Sequence, residues 1–110
     1  MSARTEVFAA LSKSGIPVAH MAWPRGSAPE LPWCVFYLDD ARALFADDDF
    51  RCRHGTWACE LYQESASSDV EGAVEKAIHD AFGGYDKAET WVESEDCLMT
   101  VYRFTVVEGA

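Results

Sequence analysis

Apolar residues recur at regular spacing along the middle of this chain. They occupy every second position from Trp57 to Leu61, which predicts a strand over about 51–62 with one apolar face. Further on, apolar positions three and four residues apart predict an amphipathic helix over 69–82. An apolar strand face followed by an apolar helix stripe predicts two packed layers, with the other strands completing the sheet beneath the helix.

Local sequence signals mark both ends of this predicted helix. Ser68 precedes Glu71 by three residues, which is typical of a capping box at a helix N-terminus. The glycines at 83 and 84 predict the end of the helix.

The segment 33–38 is strand-like, because it is rich in aromatic and β-branched residues and holds no breaker. Both of its faces are apolar: Trp33, Val35 and Tyr37 on one, Cys34, Phe36 and Leu38 on the other. We expect the helix layer to cover one face. The other face is expected to meet a further element or a partner subunit.

Further elements are predicted along the rest of the chain. They are a helix over 3–14 and strands over about 18–23, 43–46, 87–93 and 97–107. Asp39 and Asp40 predict a turn before the strand over 43–46, and Asp47, Asp48 and Asp49 predict a turn after it.

Strands grouped with helices predict an α+β fold. We expect a single domain over residues 1–110, with a mainly antiparallel sheet of about four to six strands and two helices packed on one face.

The chain is acidic, with 19 acidic and 9 basic residues and a formal net charge of -10. Because binding to nucleic-acid phosphates needs clustered lysine and arginine, this charge argues against a general role in binding DNA or RNA.

No apolar run approaches the ~20 residues of a membrane span, and residues 1–6 lack the apolar core of a signal peptide. We therefore expect no membrane association and folding in a cytoplasm. The cysteines lie in apolar or strand-like patterns, so we expect free thiols at Cys34, Cys52, Cys59 and Cys97.

Two patterns raise the possibility of a metal site. Cys52, His54 and Cys59 are zinc-ligand types, but their spacing differs from paired zinc motifs and regular pairing places Cys59 on the opposite face. The aspartates in the two predicted turns offer oxygens to a hard cation, yet they lack the glycine and glutamate of a calcium loop. We expect no metal and no cofactor.

Catalytic chemistry has one candidate pair, Cys59 and His79, which a strand packed on a helix brings near each other. No nucleophile elbow or glycine-rich phosphate loop accompanies it, so we expect that the protein is not an enzyme. Trp91 lies between Glu89 and Glu93 on one predicted strand face. It is equally consistent with an interface position and with a core position.

A longer pattern carries a resemblance. A strand ends in Glu60-Leu61-Tyr62, a polar link and a glutamate-punctuated helix follow, and a glycine precedes Tyr85. Val92-Glu93-Ser94-Glu95 and a last strand with Tyr102-Arg103-Phe104 come next. Together with the upstream proline-rich loop, the segment 32–38 and its acidic turn, this pattern resembles the tail terminator, tail-completion or head-tail joining proteins of siphophages and prophages. It covers about residues 29–107.

The resemblance implies a structural virion protein with no catalytic residue. Such α+β subunits close into a ring, typically a hexamer, at the head-proximal end of the tail tube. The implied partners are further copies of the chain, the tail tube protein and a head-closure or connector protein, with assembly in the host cytoplasm. DNA passes through such a ring without specific binding. One departure is that a position held by asparagine in many relatives falls within 47–49.

Alternatives remain open at this point. A head-closure or minor capsid role has a similar pattern, and a small ligand-binding domain or enzyme belongs to another class. For the ring we expect contacts from an exposed loop, an acidic hairpin and the sheet edges. The candidate interface residues are Arg25, Pro29, Asp39, Asp40, Asp47, Asp48, Asp49 and Trp91.

Overall fold

The computed structural model of the protein describes residues 2–46 and 49–109, with side chains described for 2–40 and 54–107. Within these residues, two α-helices and five strands form the predicted α+β fold. In chain order the elements are α1 (Ala3–Ser12), β1 (Val18–His20), β2 (Trp33–Ala46), β3 (Asp49–Gln63), α2 (Ser68–Phe82), β4 (Asp86–Val92), a 3₁₀ helix (Glu93–Glu95) and β5 (Cys97–Gly109).

The sheet has the strand order β1-β2-β3-β5-β4. Only the pairing of the short β1 with β2 is parallel among these strands, and the other pairings are antiparallel. The expected mainly antiparallel sheet with two helices on one face is therefore confirmed. β1 ends before the predicted 18–23 does, because Met21 has a φ of 71°, which is incompatible with an extended strand.

The predicted turn at Asp39 and Asp40 is wrong. β2 runs without a break through both residues, so the strands expected over 33–38 and 43–46 are one. Pairing with β3 sets Asp40 opposite Thr56, and this pairing outweighs the local preference of aspartate for turns. A register shift between Leu38 and Asp40 leaves Asp39 without a paired residue on β3, as in a β-bulge. Asp47 and Asp48, in the second predicted turn, lie outside the described residues, and Asp49 begins β3.

The two long strands of this hairpin determine the shape of the molecule. β2 has 14 residues and β3 has 15. At ~3.3 Å per residue, 14 residues extend about 46 Å. That length accounts for most of the long axis, since the principal extents are 51 × 28 × 23 Å.

The hydrophobic core lies between the helices and one face of the sheet. Its buried members are Val7, Leu11, Cys34, Phe36, Trp57, Cys59, Leu61, Val74, Ile78, Tyr102, Phe104 and Val106. Registers such as Phe36 opposite Cys59, and Cys59 opposite Tyr102, explain why alternate residues of neighbouring strands meet on this face. Thr100 interrupts the apolar series of β5 on this face. It is fully buried, and its hydroxyl has no hydrogen-bond partner among the described residues.

The start of α2 differs from the predicted capping box. Ser67 is the N-cap, and its hydroxyl accepts a hydrogen bond from the Val70 amide at 3.3 Å. The Glu71 carboxylate accepts hydrogen bonds from Gln63 Nε2 at 2.9 Å and Lys87 Nζ at 3.0 Å. It also interacts with the backbone of Ser67, so Glu71 joins the start of α2 to β4.

Lys87 links the edge strand β4 to α2. Its Nζ lies 2.7 Å from Glu75 as well as 3.0 Å from Glu71. The Tyr102 hydroxyl donates to the same Glu75 carboxylate at 2.8 Å. In the described part of the chain, no helix is both long enough and apolar enough to span a membrane.

Candidate assembly surface

The second face of the sheet carries no helix in the described part of the chain. Register places Trp33 opposite Tyr62, Val35 opposite Glu60 and Tyr37 opposite Ala58, so these six residues share this helix-free face. β5 continues the same face, because Val101 lies opposite Glu60 and Arg103 lies opposite Ala58. None of these residues belongs to the core cluster between the helices and the sheet, although Val35, Ala58 and Val101 are buried.

Aromatic rings form a continuous row across one end of the helix-free face. Trp33 stacks on Tyr62 with ring centroids 4.7 Å apart and an interplanar angle of 14°. Trp23, from the loop between β1 and β2, meets Trp33 edge-on at 6.1 Å and 73°. All three side chains are half-buried, so their rings shield the smaller Val35 and still present surface to solvent.

Glu60 sits at the centre of the helix-free face and joins two tyrosines. Tyr62 Oη donates to Glu60 Oε1 at 2.6 Å, and Tyr37 Oη donates to Glu60 Oε2 at 2.7 Å. These distances are typical of hydrogen bonds to a charged carboxylate. Burial, reinforced by the hydrogen bond to Glu60, raises the pKa of Tyr37 to about 12 and also raises the pKa of Tyr62. Both hydroxyls therefore remain donors at any physiological pH.

The predicted acidic residues of the hairpin are only partly described. Asp39 Oδ2 lies 3.3 Å from Arg103 Nε in an exposed ion pair across the helix-free face. Asp40 is exposed and lies opposite Thr56. The side chain of Asp49, and all of Asp47 and Asp48, lie outside the description. Their part in an interface stays a prediction.

A groove runs between the loop 21–32 and the helix-free face. Its volume is about 720 Å³, and its walls include Trp23, Arg25, Trp33, Glu60, Tyr62 and Glu95. Of the two candidate residues in the loop, Arg25 is exposed and lines the groove, whereas Pro29 is half-buried and is not among the lining residues.

Trp91 lies away from this groove, on the edge strand β4. It is opposite Leu98, on the side of the sheet that carries the helices, and is 47% exposed. The core alternative for Trp91 is therefore wrong. Exposure agrees with the interface alternative without testing it.

The candidate interface residues thus lie on three separate elements: the loop, the hairpin and the edge strand. Sequence reasoning missed Trp23 and Glu60. The alternation in β2 and β3 contained the signal for Glu60, since a glutamate two residues from a tyrosine shares its face. Trp23 had no comparable signal, because its position depends on the fold of a loop.

The geometry gives no support to the candidate cysteine chemistry. Cys59 is fully buried, and a hydrogen bond with Cys34, together with burial, raises the pKa of its thiol. His79 is exposed on α2, so a reactive pair is not formed.

The side chain of Cys52 is outside the described residues, while Cys34, Cys59 and Cys97 are buried free thiols. Among the described residues, no three His, Cys, Asp or Glu side chains gather as metal ligands would.

Comparisons with known proteins find a similarity of fold without a similarity of sequence. No family model matches the sequence, and no curated protein matches it. Among solved structures, the fold is similar to that of a chain from the "Virion of native gene transfer agent (GTA) particle". The TM-score is 0.64 at 13% sequence identity, with 97% of this chain and 91% of the other chain covered. At this identity the similarity shows a shared fold, and it extends over nearly all of both chains.

Proposed function

We propose that the protein is a structural virion component, a tail terminator or tail-completion subunit. Copies of it form a ring, expected to be a hexamer, that caps the tail tube and joins it to the head. The observation that carries the proposal is the shared fold, over 97% of the chain, with a chain from the virion of a gene transfer agent particle. The resemblance of segment 29–107 to tail terminators supports the more specific role.

The helix-free face supports an assembly function. Tryptophan and tyrosine dominate the energetically important contacts of protein interfaces, because each ring buries a large apolar area and carries a polar group. Trp33, Tyr37 and Tyr62 form such a surface, with Glu60 holding the two tyrosines in place. A protein that functions by binding its neighbours needs a surface of this kind.

The elongated hairpin supplies a second, different surface. A ring requires a heterologous contact, in which one patch of a subunit meets a different patch of the next. β2 and β3 together present a long arm, and the helix-free face presents a broad platform. We propose that the platform and the arm contribute the two sides of the contact.

The acidity of the chain is compatible with a ring that DNA crosses. At a net charge of -10, phosphates are repelled rather than held. We propose that the aspartates at 47–49 contribute to this repulsion. Replacing all three with lysine is expected to slow DNA passage in particles that assemble normally, as measured by infectivity, and unchanged infectivity would contradict this role.

Native mass spectrometry tests the ring directly. The purified chain is measured alone and after mixing with its tail tube protein. We expect hexamers in the presence of the tube, with negative-stain images showing an annulus at one tube end. A chain that stays monomeric and leaves the length of the tubes unchanged would contradict the proposed function.

A further inference from the structure

We propose that the groove between loop 21–32 and the helix-free face binds a basic side chain, arginine or lysine, on an extended segment of a neighbouring protein in the particle. The inference rests on the proposed function, since it names the chemistry of one assembly partner. The lining of the groove has more acidic than basic groups.

Glu60 is a half-buried carboxylate that has no basic partner among the residues whose side chains are described. Its two described hydrogen bonds come from neutral tyrosine hydroxyls. Among the described residues, the ion pairs join other groups, and none includes Glu60. Removing a carboxylate from water is costly unless an opposite charge compensates for it. A carboxylate has about four acceptor positions, so two remain for an incoming cation.

The groove around Glu60 has the composition of a site for a cation. Trp23, Trp33 and Tyr62 supply aromatic walls, and ring faces attract ammonium and guanidinium groups. Glu95 adds a second carboxylate to the lining, and Arg25 is the one basic residue there, so the formal charge of the lining is -2 + 1 = -1. An arginine matches these features best, because its planar group both stacks on rings and hydrogen-bonds to carboxylates.

The dimensions favour a polypeptide segment as the carrier of the cation. A volume of about 720 Å³ accommodates more than one side chain, and the groove is open to solvent along the loop. A chain with net charge -10 also attracts basic surfaces during encounter. The occupant is therefore a basic segment of a different protein in the particle, since a second copy of this chain carries the same net charge of -10.

The first test is a titration with a short probe, followed by NMR. The probe is a capped pentapeptide with one arginine between glycines, and the control probe carries glutamine instead. Because the chain has four tryptophans, the indole N–H signals report on separate places at once. We expect saturable shifts at Trp23 and Trp33 with the arginine probe alone. Trp57, in the core, and Trp91, on β4, provide internal controls.

Two matched variants sharpen the test. Glu60→Gln is expected to weaken binding of the arginine probe at least about tenfold, because it removes a charged acceptor. Glu89→Gln removes the same charge from an exposed position of β4 and is expected to leave binding unchanged. If Glu60→Gln fails to fold, Trp33→Leu replaces it, with a salt titration of the wild-type protein that is expected to weaken binding.

The possible results distinguish the groove proposal from the proposed ring function. Equal shifts with both probes, no shifts, or full binding by a folded Glu60→Gln or Trp33→Leu variant would overturn the groove proposal. Rings formed with the tube protein, despite such a result, would leave the proposed function intact. Selective arginine binding by a chain that never forms rings would support the groove chemistry and contradict the proposed function.

Discussion

The two faces of the sheet are built from the same strands but differ in how far their side chains are buried. On the helix-covered face, Phe36, Leu61 and Tyr102 are almost completely buried within the subunit. On the helix-free face, Trp33 and Tyr62 are only half-buried, and a carboxylate lies between aromatic side chains. The first face is saturated by α1 and α2, whereas the second still has area and hydrogen-bonding groups to offer. Folding depends mainly on the first face, and assembly is expected to depend on the second.

Phe36→Ala is expected to have the largest effect on stability. Phe36 is 1% exposed in the core, so the substitution removes its contacts and leaves a cavity. The expected loss is about 3–5 kcal/mol in the free energy of unfolding, measured by urea denaturation. Tyr37→Ala, one residue along the strand on the opposite face, serves as the comparison. An equal loss for both variants would contradict the distinction between the faces.

Trp33→Ala is expected to separate assembly from folding. The ring stacks on Tyr62 and is half-buried, so the expected loss of stability is about 1–2 kcal/mol. Ring formation with the tube protein should nevertheless be lost, as read by native mass spectrometry. Phe8→Ala is the control, because Phe8 is 46% exposed on α1, on the other side of the sheet. Normal rings from the Trp33 variant would exclude its side chain from the interface.

Lys87→Met is expected to have a smaller effect that depends on pH. Hydrogen bonding to Lys87 lowers the pKa of Glu71. Burial alone would raise the pKa of Glu75, but hydrogen bonds from Lys87 and Tyr102 outweigh it and leave that pKa below its ordinary value. Carboxylates with lowered folded-state pKa values stabilise the fold above their ordinary pKa of 4.5, and this contribution disappears as pH falls through the folded values.

The variant should therefore lose less stability than the wild-type chain as the pH falls below the ordinary carboxyl pKa of 4.5. At neutral pH its deficit is expected to be about 1 kcal/mol or less, because the Lys87 side chain is 39% exposed and solvent screens the ion pairs. The same contacts raise the pKa of Lys87, so its own contribution declines only in alkali. Chemical denaturation at several pH values measures the difference. If the free energy of unfolding changes with pH equally in the wild-type chain and the variant, Lys87 is not the cause of the lowered pKa values of Glu71 and Glu75.

Trp91→Ser is expected to change stability least, by about 0.5 kcal/mol or less, because Trp91 is 47% exposed on an edge strand. Its effect on assembly tests whether the edge of β4 belongs to the interface. Weaker ring formation at unchanged stability would add this edge to the interface, and unaltered rings would remove Trp91 from the candidates.

Alternation of side chains predicted both apolar faces of 33–38, and helical spacing predicted the core side of α2. These signals are local, and the tertiary structure agrees with them. Asp39 and Asp40 misled the prediction because a local turn preference cannot anticipate pairing with residues near Thr56. The N-cap of α2 is Ser67 and not Ser68, and the contact of Glu71 with Lys87, 16 residues further along, has no local signal in the sequence. Contacts between residues that are far apart in the sequence cannot be predicted from a short stretch of it. The groove that Trp23 helps to line depends on such contacts.

Hydroxyl-radical footprinting of the free chain and of purified assemblies with the tube protein tests most directly whether the helix-free face is the assembly surface. Oxidation rates are measured by mass spectrometry at individual aromatic side chains. We expect Trp33, Tyr37 and Tyr62 to become protected on assembly, while Trp57, 5% exposed in the core, remains slow in both states. Undiminished oxidation of those three side chains in verified rings would contradict the assignment of the helix-free face to assembly.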